Sequence, residues 1–232
     1  MTAASTAAAS TATASTAARR GRPPQTAQQA DQVRARIVLA TADVFAEHGS
    51  RGLSVARIID AAGLARPTFY RYFANAVEPL HAVLTLSNDD LVGGIRAALE
   101  RTEEPVQLGI NMIEAYLYWA SGHGPMLSPL FAELHDPGSP VSSYRERALD
   151  DIRELVRTKF VELGRPVPAP LDLDTALQTC EFVVYRISAG GEPGPETIAA
   201  ARLTMIRSVL VTLGRREDVE YALTIPGLFA AD

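Results

Sequence analysis

Gly63 separates two short helical patterns, and that arrangement limits the fold more than any other feature of the sequence. Ahead of it, Ser54 is a good N-cap for a helix that carries Val55, Ile58, Ile59 and Ala62 on one apolar side. A glycine after Ala62 can take the left-handed conformation that a sharp inter-helix turn needs, and Leu64 can then fold back onto the first helix. A second short helix follows, with Pro67 in its first turn, where a missing N–H costs nothing. The segment from Gly49 to Phe73 thus reads as a helix-turn-helix.

The second of these helices has an unusual polar side. Arg66, Thr68, Tyr70, Arg71 and Tyr72 can all donate hydrogen bonds to phosphate oxygens or base edges, while Phe69 and Phe73 anchor the helix from below. Helix pairs with a glycine turn also occur in proteins that never touch DNA. An ordinary amphipathic helix has Glu and Lys on its wet side, however, and here no acid stands between Ala61 and Ala76. Arg66 is the candidate for a base contact; Thr68, Tyr70 and Tyr72 are candidates for phosphate and positioning contacts, with Pro67 and Arg71 completing the surface. Ser54 and Arg57 add phosphate contacts from the preceding helix.

The segment from about Val33 to Leu86 resembles the DNA-binding domain of the TetR family of bacterial transcriptional regulators. Ala40, Phe45, Gly49, Gly52, Ser54, Ile58, Ala62, Gly63, Thr68, Tyr70, Tyr72 and Phe73 carry the likeness, all at family spacing. The run RPTFYRYF is nearest to the ethionamide-resistance branch, as is, more weakly, GINM at Gly109 to Met112. One position departs: three residues after Phe73, where the family has a phosphate-contacting lysine, stands Ala76. The resemblance implies an all-α fold of about nine helices, with an N-terminal DNA-binding domain and a C-terminal helical domain for ligand binding and dimerisation. It further implies double-stranded DNA with a near-palindromic operator and a small-molecule effector as partners.

Charge is distributed to match. Residues 1–73 hold nine Arg against four acids, and residues 74–232 hold 13 basic against 23 acidic residues, so the formal total of −5 divides into +5 and −10. A phosphate backbone would steer toward the first part and be repelled by the second. Ahead of the helices, residues 1–28 read as a disordered Ala/Thr/Ser tail ending in the basic run Arg19-Arg20-Gly21-Arg22-Pro23-Pro24. Arg20 and Arg22 suit a minor-groove arm, since narrow grooves concentrate negative potential; a proline-stiffened linker is the alternative.

The chain divides into the tail, a DNA-binding domain over 29–75, a ligand-binding and dimerisation domain over 76–216 and a loose or docked tail over 217–232. The first helix runs from Gln29 to His48. Asn75 and Glu78 form a capping box for a helix to about Glu100, in which Gly93-Gly94 favours a bend or break. Further helices fall at about 104–121, 125–134, 139–163, 172–189 and 195–214, with no strand signal.

Two of these helices are apolar on more than one face. Those near 171–189 and 195–214 need cover on two sides, one from the core and one from a second subunit, unless they form a fully internal pair. In the family such helices pair as a four-helix bundle in a homodimer. A ligand cavity is expected beside Met112, Tyr116 and Trp119, with Gln178 and Glu181 as the polar residues inside an apolar helix. Both match positions where the related branch has pocket asparagines. Arg186 and Arg207 are the alternative, structural partners for Glu181.

Enzymatic readings lack parts. His48, His81, His123 and His135 have no metal-ligand spacing, Cys180 has no paired base, and no glycine-rich phosphate loop occurs, so no catalytic residue, metal or cofactor is assigned. The single cysteine suits a reducing cytosol, and no apolar run is long enough to span a membrane. The expectation is a cytoplasmic repressor released from its operator by a largely apolar effector. An effector-independent architectural or replication-linked protein and an activator are the alternatives.

Overall fold

The computed structural model describes residues 26–229, and among them every regular element is helical. Thr26 opens α1 (Ala27–His48) with a reciprocal cap: its hydroxyl accepts from the Gln29 N–H, and the Gln29 side chain accepts from the Thr26 N–H. Gly49 ends the helix at φ 65°, and the chain turns into α2 (Val55–Ala62) and α3 (Arg66–Phe69). Ile37, Phe45, Ile58 and Phe69 meet in a fully buried knot that fixes the three helices together.

The long α4 (Val77–Leu99) leads into the second domain. Asn75 Oδ1 accepts from the N–H groups of Val77 and Glu78, and the Glu78 carboxylate accepts from the Ala74 N–H, so the expected cap forms, one residue displaced on its Glu side. The helix does not break at Gly93-Gly94. A Cβ built on Gly94 would lie 3.9 Å from that of Ala115 on α5 (Pro105–His123), an ordinary contact distance, so neither glycine is demanded by crowding and the helix carries both within its packed length. The Trp119 indole N–H reinforces the same interface by donating to the Ser87 carbonyl at 3.0 Å.

A short 3₁₀ turn (Gly124–Met126), α6 (Leu127–Glu133), α7 (Pro140–Glu162), α8 (Pro170–Ser188) and α9 (Pro195–Leu213) complete, among the described residues, the nine α-helices expected. A tenth, α10 (Arg216–Ala222), lies in the segment read as a tail. It is held down by an Asp218–Arg165 ion pair with both side chains buried, by an Arg207 Nε bond to the Leu228 carbonyl and by burial of Leu228. The tail is therefore docked.

Candidate nucleic-acid interface and ligand cavity

The turn between α2 and α3 follows from Gly63. It sits at φ 58°, ψ 44°, its N–H bonds to the Asp60 carbonyl, and the Leu64 N–H reaches back to Ile59 O at 2.9 Å, which closes the end of α2 in a Schellman arrangement. Ser54 caps the other end, its Oγ accepting from the Arg57 N–H, while the Arg57 guanidinium bonds the Gly52 carbonyl. Regular α-helix in the recognition segment is shorter than the sequence suggests, ending at Phe69 and continuing as turns through Tyr72. Bonds from Tyr72 N–H and Phe73 N–H to the Phe69 carbonyl still keep a helical course.

This course separates two sets of side chains. Phe69 and Phe73 are buried, while Arg66, Pro67, Tyr70 and Arg71 are exposed and Thr68 and Tyr72 are half-buried. Arg66 Nη2 lies 3.3 Å from the Tyr70 hydroxyl, and its guanidinium sits over the Tyr70 ring. The two are thus presented together. Arg20 and Arg22 lie outside the described residues.

A cavity of about 140 Å³, counted as space open to the centre of a water molecule, lies between α4, α5, α6, α7, α8 and α9. That is about ten times what one water requires. Met112, Tyr116, Trp119 and Glu181 line it. Gln178 does not: it is exposed, in a stripe with Leu171, Thr175, Phe182 and Tyr185, because three residues along a helix turn a side chain about 60° from Glu181.

The partner of Glu181 is Arg145 of α7, not Arg186 or Arg207. Arg145 Nε and Nη2 bind both carboxylate oxygens at 2.7–3.1 Å, with side chains 8% and 17% exposed. Hydrogen bonding to Glu181 raises the Arg145 pKa against the effect of burial. Burial, then the charge of Glu181, holds the Tyr116 phenol well above its usual value, so it stays neutral. Burial likewise pushes the Cys180 thiol up to about 12. With Arg145 and Glu181 neutralising each other, the cavity wall is predominantly apolar.

The wall is also tied to the α1–α3 unit. Leu130, Phe131 and Leu134 line the cavity, and between them Glu133 accepts from the Ser50 N–H at 2.8 Å and from the Ser139 hydroxyl that caps α7. Arg51 pairs with Asp136 at 2.7 Å. These links join the α1–α2 turn to the loop between α6 and α7. Sequence reading missed them, since contacts 83 and 85 residues apart leave no local pattern.

The family description "bacterial regulatory proteins, tetR family" matches residues 37–76, from the middle of α1 to the start of α4. This stretch of the chain carries the TetR family's DNA-binding pattern. Over 86 residues it is 33% identical to the HTH-type transcriptional activator FasR of Mycolicibacterium smegmatis, a match that spans 37% of this chain and 39% of that relative. Its fold is shared with the fatty acid degradation regulator FadR of Bacillus halodurans, at TM-score 0.64 and 20% identity over 79% of this chain and 96% of that one. FadR of Bacillus subtilis, solved in complex with stearoyl-CoA, superposes at 0.62 and 17% identity over 78% and 99%. Phe69 and Phe73 anchor the α3 segment, and Ala76 occupies the N-cap of α4 in helical conformation, so helix entry there does not require a lysine.

Proposed function

We propose that this chain is a dimeric transcriptional regulator of the TetR family that grips duplex DNA through α3 and alters that grip when a largely apolar molecule fills the cavity. The observation that carries the reading is the exposed, acid-free face of Arg66, Pro67, Tyr70 and Arg71, with Thr68 half-buried at its edge, held above a buried Phe69–Phe73 floor. Backbone contacts from such a face give affinity, and Arg66 is placed to add base readout. One short helix reads few base pairs, so two copies on a near-palindromic operator supply a useful site.

The dimer face in this reading is the outer side of α8 and α9. Leu171, Phe182 and Tyr185 are exposed on α8, and Thr204 and Val211 on α9. Packing them against their two-fold mates removes that apolar surface from water. The position of Gln178 within this stripe makes it an interface residue, not an effector contact.

Effector filling acts by population shift: the ligand favours a conformer in which α6 and α4 no longer hold the two recognition segments one helical turn of DNA apart. The Glu133–Ser50 bond and the Arg51–Asp136 pair give α6 a direct connection to the α1–α2 turn, beside the lever that α4 supplies. The stearoyl-CoA held by the Bacillus subtilis neighbour supports a long alkyl chain as the effector class. Repression relieved by ligand, in the cytoplasm, is the primary reading. Activation is the second, favoured by the name of the 33%-identical FasR.

Operator titrations by gel shift, on sites selected from genomic fragments, test the reading. Tyr70→Phe is expected to weaken binding to all sequences alike, while Arg66→Ala also relaxes base preference. Native affinity and native base preference in both variants would overturn the assignment of α3.

A further inference from the structure

Beneath the main cavity lies a second, of about 70 Å³, between α5, α7, α9 and α10. The two share four wall residues, Gly109, Val156, Val209 and Leu213, so they are neighbours across a thin partition. Gly109 stands at that partition, and with no side chain of its own it leaves the wall there only a backbone thick; a Cβ would meet Val209 at an ordinary 3.9 Å.

The second cavity differs in chemistry from the first. Lys159 and Arg165 both line it, with side chains 16% and 9% exposed. Arg165 spends Nη1 and Nη2 on Asp218, whose carboxylate also accepts from the Arg215 N–H, but its Nε is buried with no hydrogen-bond partner. Every other buried side-chain nitrogen and oxygen among the described residues is satisfied. An orphaned donor on a buried cation is costly unless an acceptor arrives. Asp218 is already neutralised by Arg165, and Glu162, at 3.4 Å from Lys159, is largely in solvent, so the cavity has a surplus of donors over acceptors.

We propose that the second cavity receives the carboxylate head of a long-chain fatty acid, bound by Lys159 and the Arg165 Nε–H, while its alkyl chain passes Gly109 into the main cavity. The inference rests on the alkyl-effector reading above and assigns the head group that reading leaves open. A carboxylate satisfies the orphaned donor by a charge-assisted bond, and the apolar main cavity offers no comparable partner because Arg145 and Glu181 are spent on each other. A head group as large as coenzyme A would have to lie outside a space of this size.

Displacement of a fluorescent fatty acid from the full-length protein tests this, with octanoate, dodecanoate and octadecanoate, octadecanol and stearoyl-CoA as competitors. Octadecanoate is expected to outbind octadecanol and stearoyl-CoA, each by about tenfold or more, the value of one charge-assisted hydrogen bond. Gly109→Leu, which plugs the passage, is expected to weaken octadecanoate by a similar factor and leave octanoate unchanged. Lys159→Met and Arg165→Lys, the latter keeping a cation opposite Asp218, are expected to erase the preference of acid over alcohol; melting curves establish that each variant is folded. Alkyl binding with native length and head-group profiles in all three variants, or a preference for the thioester, would overturn this inference alone. Absence of any alkyl binding would overturn the effector reading with it.

Discussion

Replacing Glu181 with Leu should destabilise the protein by about 3 kcal/mol, and replacing Arg145 with Met as well should recover most of the loss. Arg145 is 8% exposed, and three of its hydrogen bonds go to Glu181. Removing one partner of a buried pair costs about 3–5 kcal/mol, because the remaining charge has lost both its hydration and its counter-ion. Glu146 Oε1, 2.7 Å from Arg145 Nη1 but itself 58% exposed, gives partial compensation and places the expectation at the lower end. For a chain of this size each kcal/mol moves Tm by about 2–4 °C, so the single variant should melt about 6–12 °C lower. The double variant removes both desolvated charges and should lie within about 1 kcal/mol of the parent. Urea and thermal unfolding, compared at one protein concentration because dimerisation shifts Tm, give the numbers. A single variant within about 0.5 kcal/mol of the parent would refute the burial argument, and a double variant as unstable as the single would refute the claim that the stranded charge is the cause.

Phe182→Arg on the exposed stripe of α8 should yield a folded monomer in sedimentation experiments, with operator affinity reduced by orders of magnitude; a native dimer would exclude that face. Cys180, with its thiol near 12 against an ordinary value near 9, should hold a thiolate fraction about a thousandfold below that of a free cysteine at pH 8, so maleimide labelling should be slow until denaturant is added. Labelling as fast in the native protein as in the unfolded chain would show that the site is open. Glu133→Ala should leave octadecanoate binding near native while shrinking the change in operator affinity that octadecanoate causes, since it removes the acceptor for Ser50 N–H; an unchanged response would leave α4 as the sole connection.

What depends on neighbours along the chain was legible before any tertiary contact. Gly63 specified the left-handed turn, Ser54 and Asn75 specified helix starts, and the spacing of Phe69 and Phe73 against Arg66 and Tyr70 specified which side of the recognition segment faces water. The reciprocal Thr26–Gln29 cap starts α1 two residues earlier than periodicity alone suggests. Gly93-Gly94 shows the limit of local reasoning: propensity favours a break, but α4, packed along its length on α5 and α7, stays continuous. Packing set the pairing of Arg145 with Glu181, the outward turn of Gln178, the docking of α10 by Asp218 and the unsatisfied Nε of Arg165. Those outcomes turn on a helix's rotation about its axis and on partners tens of residues away, and a helical apolar pattern defines the buried arc too loosely to resolve a 60° difference between two side chains on one helix.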